Sequence, residues 1–191
     1  DKLAVEWYRR SAEQGDAEAQ HNLGLMYRQG RGVAQDYKMA AEWYRKAAEQ
    51  GNEDAQNSMG IAYDLGQGVP QDDKLAAEWY LKAAEQGSAD AQNNLGVMYR
   101  QGRGVVQDYK IAAEWYRKAA EQGNADAQHN LAMLYDTANV ATSEHHLAME
   151  WFQRAAEEGN AEAQNRLGLF YHLGHGVAQD YKLAAGWYRK A

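Results

Sequence analysis

Six tryptophans stand at Trp7, Trp43, Trp79, Trp115, Trp151 and Trp187, each 36 residues from the next, and the chain holds no others. A fixed period of this length marks a repeat array, in which each unit is one supersecondary element that stacks on its neighbours. Repeated positions do the same packing work in every unit, so function is sought where the units differ. Hydrophobic residues make up 45% of the chain, enough for a continuous core. The net charge of −7 argues against a nucleic-acid partner, which needs a clustered basic surface. There is no cysteine, so disulfides and thiolate metal sites are excluded. The apolar stretches fall far short of a membrane span, and no signal peptide is visible.

The register sets the expected organisation: one solenoid over 1–191. Residues 1–15 form the trailing helix B of a preceding unit. Full repeats cover 16–51, 52–87, 88–123 and 124–159, and 160–191 is a last, incomplete repeat. Within a unit, Asp16 to Gln29 reads as helix A. Asp16, Asn52, Ser88, Asn124 and Asn160 are N-cap residues whose side-chain oxygen accepts an orphan amide bond. Each follows a glycine suited to a left-handed helix stop. Ala19, Leu23, Met26 and Tyr27 share one face of helix A. Gly30-Arg31-Gly32-Val33 is a turn, and helix B runs from near Asp36 to Gln50 with Met39, Ala40, Trp43, Tyr44, Ala47 and Ala48 as its apolar set. Glu42 and Lys46 have the spacing of an ion pair on its outer side.

The run from Ala17-Glu18-Ala19-Gln20-His21-Asn22-Leu23-Gly24 through Gly51 recurs along the whole length. It resembles the Sel-one-like repeat (SLR) family, a relative of the tetratricopeptide repeats. The resemblance implies an all-α, right-handed α/α superhelical solenoid of 36-residue helix-turn-helix units, with helix A on a concave face and helix B on a convex one. It further implies a non-enzymatic scaffold or adaptor that binds a protein or an extended peptide, without cofactors, often in bacteria. Periplasmic or secreted location is favoured over cytoplasmic. Some cysteine-rich members carry β-lactamase-type descriptions, which makes a β-lactam hydrolase the rival reading. This chain has no cysteine and no S-x-x-K motif. A near-consensus or designed array with no dedicated ligand is a further alternative, since the first and third full units agree at 30 of 36 positions.

The tryptophan column is read as core packing, and Gly24, Gly60, Gly96 and Gly168 as sites of close helix approach, with Ala132 the mildest replacement. The fourth unit loses its turn glycines at 137–143, either as a specialised loop or as drift. His145 and His146 point to different helix faces. His172 and His175 lack a third ligand and sit in a variable polar column, so no metal site is assigned. No Ser-His-Asp arrangement is expected, because the serines and histidines fall in unrelated columns.

The non-packing face of helix A varies most between units, and the binding site is placed there. Its apolar row is Leu25, Ile61, Val97, Met133 and Leu169. Beside it run Asn22, Asn57, Asn94 and Asn130, of which 22, 94 and 130 match the asparagine with which related tetratricopeptide grooves hold peptide backbone. Arg28, Asp64, Arg100, Asp136 and His172 give the face an alternating charge. That pattern favours a mixed-charge protein segment over a polyanion. Leu3, Val5 and Trp7 at one end, and Leu183, Trp187 and Tyr188 at the other, have no encoded polar cap, so a longer parent or end-to-end self-association is expected.

Overall fold

The computed structural model describes residues 1–136, 145–157, 159–174 and 177–191, without the side chains of 135, 136 and 145–148. The turn at 137–143, the side chains of His145 and His146, and His175 therefore lie outside the described residues. Two compact units are formed. The first, Asp1–Gln107, holds α1 (Lys2–Glu13), α2 (Ala17–Gln29), α3 (Tyr37–Glu49), α4 (Glu53–Leu65), α5 (Asp73–Gln86) and α6 (Ala89–Gln101). The second, Asp108–Ala191, holds α7 (Tyr109–Glu121), α8 (Ala125–Asp136), α9 (His145–Glu157), α10 (Ala161–Leu173) and α11 (Tyr181–Tyr188). No strand occurs among the described residues. Within each unit every helix packs on the next in sequence. The fold is an all-α solenoid of helix-turn-helix repeats.

The helix starts are set by the expected caps. Asp16 accepts from the Ala19 amide at 2.6 Å, and Asn52, Asn124 and Asn160 accept from the amide three residues on at 2.8–2.9 Å. Asp36, Asp72, Asp108 and Asp180 do the same for helix B. Behind each helix A cap sits a glutamine buried at a position where polar side chains are rare: Gln20, Gln56, Gln92, Gln128 and Gln164. The Gln20 amide donates to the Ala12 carbonyl at 3.0 Å, Gln56 to Ala48 at 3.2 Å, Gln92 to Ala84 at 3.1 Å and Gln164 to Ala156 at 2.9 Å. Each acceptor belongs to the last turn of the preceding helix B, whose carbonyls have no partner within the helix. In return, Gln50 donates to the Gln20 side-chain oxygen and Gln86 to that of Gln56, both at 2.7 Å. One amide thus fastens the end of one repeat to the start of the next.

The side chains that set the A–B spacing are the aromatics after the tryptophans. Tyr44, Tyr80, Tyr116 and Phe152 are fully buried. A Cβ placed on Gly60 would come within 2.5 Å of the Tyr80 ring, and one on Gly24 within 2.6 Å of Tyr44. The expected close approach at these glycines is therefore that of a ring. The tryptophans are half-buried and Trp7 is 62% exposed. Trp43 and Trp79 pack on the clusters formed by the preceding helix B and the helix A of their own repeat. Their outer faces are covered by a cation three residues on, Lys46 over Trp43 at 3.9 Å and Lys82 over Trp79 at 4.1 Å. Lys46 makes no ion pair with Glu42, so the expected i,i+4 pair gives way to the ring. At the ends, Leu3, Trp7, Leu183 and Tyr188 are exposed, whereas Val5 is in the core and Trp187 is half-buried.

The turn between helices also joins repeats. Gly68 (φ +77°) lies on the backbone of Tyr37 at the start of the preceding helix B, where any Cβ would overlap the Tyr37 carbonyl.

Two substitution pairs test this packing. Tyr80→Ala is expected to cost roughly 3–5 kcal/mol, the range for a fully buried large side chain, and half-buried Trp79→Ala less. Gly51 (φ +92°) faces open space, so Gly51→Ala carries only the left-handed backbone cost of about 1–2 kcal/mol. Gly68→Ala adds a collision with main chain that cannot swing away, and is expected to melt well below Gly51→Ala. Urea and thermal unfolding of the four variants give the two orderings.

Candidate functional site

The helix A face is continuous in the first unit over α2, α4 and α6. Asn22, Leu25, Arg28, Asn57, Ile61, Asp64, Asn94, Val97 and Arg100 are all half-buried there. In the second unit Asn130 and Met133 are half-buried, and Leu169 and His172 are exposed. Asp136 closes α8, and its side chain lies outside the described residues. His172 stacks edge-on with Tyr181 at 5.4 Å.

Neighbouring helices A are registered by side-chain hydrogen bonds across this face. Asn94 donates to the Asn57 side-chain oxygen at 3.3 Å. His21 Nε2 lies 3.2 Å from Ser58 Oγ. Both contacts join residues 37 apart, so one column of a repeat meets the next column of the following repeat. The argument from unrelated columns therefore fails for this Ser–His pair. Among the described residues no carboxylate accepts from the other ring nitrogen of His21. Ser58 is buried, and the adjoining niche, lined by Arg28, Tyr37, Tyr44, Ile61 and Gln67, is about 10 Å³. Asn57 and Asn94 fill the same two positions one repeat later, which marks the pair as a register contact.

The charges on the face are arranged differently from the alternation in sequence. Arg103, in the turn after α6, grips Asp64 on α4 and Asp73 on α5, the latter at 2.6 Å. These hydrogen bonds raise the Arg103 pKa still further above its usual value. Asp64 also lies 3.5 Å from the Tyr80 hydroxyl, whose pKa is raised by burial first and by Asp64 second. Arg31 reaches Asp1 in the same way at 3.3 Å. The intervening repeat has Gln67 and Tyr37 at these positions. Acid and arginine thus appear together at Asp1/Arg31 and again 72 residues on at Asp73/Arg103, while His145 and His175 stand at the next such positions. That covariation and the unvarying buried glutamine were visible in the sequence as signals of contact.

Arg28 and Arg100 form no ion pair among the described residues. Arg28 sits beside the Tyr44 hydroxyl, where burial outweighs the guanidinium and pushes the phenol pKa up to about 12. Arg100 Nε is buried with no acceptor. The last-turn carbonyls beneath both arginines are covered, Gln35 donating to Arg28 O and Gln107 to Arg100 O at 2.8 Å each.

On the opposite side, Lys38, Ala41, Glu42, Arg45, Lys46, Glu49, Gly68 and Val69 line a hollow of about 450 Å³. One repeat on, Lys74, Ala77, Glu78, Leu81, Leu95, Tyr99, Gly104 and Val105 line a smaller one of about 120 Å³. Both fall in the crease between helix B and the next turn, a site the helix A reading passed over. Among the described residues no cluster of His, Asp or Glu has the geometry to hold a metal.

A solenoid whose repeated side chains pack, cap and register, and whose varied ones line a helix face, is a helical-repeat scaffold of the kind that generally mediates protein interaction. The chain belongs to the Sel1 repeat family: the Sel1 repeat model matches residues 1–16, 17–52, 53–88, 89–124, 125–160 and 161–191. No curated protein matches it in sequence. Among solved structures it is similar to a protective antigen of uropathogenic Escherichia coli displaying an SLR fold, at 43% identity and a TM-score of 0.93. That match covers 99% of this chain and 40% of the antigen, so the chain spans two fifths of that protein's length. It is also similar to a Sel1 repeat protein from Oxalobacter formigenes, at 33% identity, 98% and 80% coverage and a TM-score of 0.87. The Helicobacter pylori cysteine-rich protein B matches at 25% identity over 66% of this chain and 90% of its own, with a TM-score of 0.53. No helix among the described residues is long and apolar enough to cross a membrane.

The His21 contact carries a pH dependence. Burial lowers the His21 pKa below 6.5, while Asp54 and Glu18 pull it back in part. The folded state therefore holds the neutral ring where the unfolded chain already takes up a proton. His21's contribution is complete above about pH 6.5 and declines as pH falls from there toward the lowered folded value. His21→Asn, the residue found at Asn57 in the next repeat, is expected to remove that part of the acid loss. Melting temperatures of both proteins from pH 8 to pH 5 give the comparison. Parallel curves would assign the histidine no role.

Proposed function

We propose that the chain is a non-catalytic scaffold that holds an extended segment of another protein across the helix A face. The observation that carries this is the row of half-buried amides and apolar side chains running without a break over α2, α4 and α6. Asn57 and Asn94 are fixed by one bond to each other and keep further donor and acceptor capacity for a peptide backbone. Leu25, Ile61 and Val97 beside them give shallow apolar contact. Backbone-directed amides with side-chain pockets at intervals are what grooves for extended peptides use. The family supports a protein-interaction role, and an absent orienting carboxylate and a water-sized niche leave the buried Ser–His pair without a hydrolytic reading. The hollow along α3 is the competing surface on the same unit.

The test is selection of short displayed peptides on the full chain, followed by binding to two variants. Asn94→Ala with Arg100→Ala removes an amide and a cation from the helix A face. Lys38→Ala with Glu42→Ala alters the helix B hollow. The first pair is expected to abolish binding while lowering the melting temperature only modestly, since it forfeits one part-buried hydrogen bond worth about 1 kcal/mol. The second pair is expected to bind normally. Binding lost only with the helix B pair would move the site to the outer surface.

A further inference from the structure

We infer that the helix A face of the first unit selects a segment carrying two acidic side chains about six residues apart, with none between them. This rests on the peptide-binding reading above and adds the partner's chemistry. Four arginines stand at the C-terminal ends of α2 and α6 and in the turns after them, and they are not equivalent: Arg31 is held by Asp1. Arg103 is held by Asp64 and Asp73. Arg28 and Arg100 have no acid partner among the described residues, and Arg100 keeps a buried Nε without an acceptor. The clasp between them combines two carboxylates with one guanidinium and so retains negative charge. The edge therefore reads cation, residual anion, cation along α2, α4 and α6. The acids Glu18, Asp54 and Asp90 lie at the other end of the same helices, in their first turns.

The spacing follows from helix contact. His21 touches Ser58 and Asn57 touches Asn94, so successive helices A are side-chain neighbours, on the order of 10 Å apart. Two steps from Arg28 to Arg100 make roughly 20 Å, which an extended chain at about 3.3 Å per residue crosses in about six residues. An acid at each end meets a guanidinium. A third acid midway would face the Asp64–Asp73 clasp and be repelled. The helix C-termini would ordinarily disfavour an anion. Here Gln35 and Gln107 already cover the nearest last-turn carbonyls, so the arginines set the local potential. An acidic strip on a partner is also what a chain of net charge −7 can attract only through such isolated cations.

The experiment uses peptides selected on the full chain and their synthetic derivatives, read by fluorescence anisotropy. Selected sequences are expected to carry the acid pair. Halving the separation, replacing either acid by its amide, or adding an acid midway should each weaken binding roughly tenfold. Arg28→Gln and Arg100→Gln should each weaken the diacidic peptide similarly, and each should erase the preference for acid at one end only. Peptides that bind the helix A face, lost on Val97→Asp, yet show no acid preference would overturn this inference and leave the peptide-binding reading standing. Peptides indifferent to every helix A substitution, or no selected peptide at all, would overturn both.

Discussion

A tyrosine ring rests against a glycine of its partner helix at Tyr44 on Gly24, Tyr80 on Gly60 and Tyr188 on Gly168, closely enough that a single methyl would collide with it. That contact fixes the distance between helices A and B, and with it the span that the turn must bridge. The turn is then short enough for its second glycine to settle on the main chain of the preceding repeat, as Gly68 does on Tyr37. The buried glutamines close the other end by tying each helix A to the last turn of the helix B before it. Small alanines at 40, 47 and 48 complete the seam. With these columns occupied by packing, the outer face of helix A is left as the surface on which repeats can differ without cost to the stack. The fourth full repeat makes its change on both sides of this contact: Ala132 for glycine and Phe152 for tyrosine, both fully buried.

In the first unit the differences on that face are matched between one repeat and the next. Arg103 occupies the turn position held one repeat earlier by Gln67, and its acceptors Asp64 and Asp73 occupy the positions of Arg28 and Tyr37. Gln67 duly lies in the niche with Arg28 and Tyr37. A cation in the turn is matched to acids below it, and an amide to an arginine and a phenol. This is why two of the arginines that look alike in the sequence differ in availability from the third.

The fold was legible because period, caps and turn glycines each restate the same unit. Tryptophan announced the period yet is only half-buried, since its large indole reaches the surface and is covered there by Lys46 or Lys82. Tyr44 and Tyr80 do more of the core filling and were less conspicuous beside it. The columns of the helix A face were likewise legible from helical geometry. What could not be read within one unit was which columns meet between units. A step of 37 residues brings His21 to Ser58, and a step of 39 brings Arg103 to Asp64, because stacked repeats are offset as well as translated. Single-repeat alignment hides both offsets.

The alternation of the turn residue has a consequence for how such an array can change length. Excising one 36-residue unit, 52–87, would set Arg103 over Arg28 and Tyr37, replacing an ion cluster by two facing guanidinium groups. Excising two units together, 16–87, would instead set Arg103 over Asp1, the acid that Arg31 meets there now. Over residues 1–107 the chain thus pairs a 36-residue geometric module with a 72-residue alternation of turn charge, and loss of two repeats there would be tolerated more readily than loss of one.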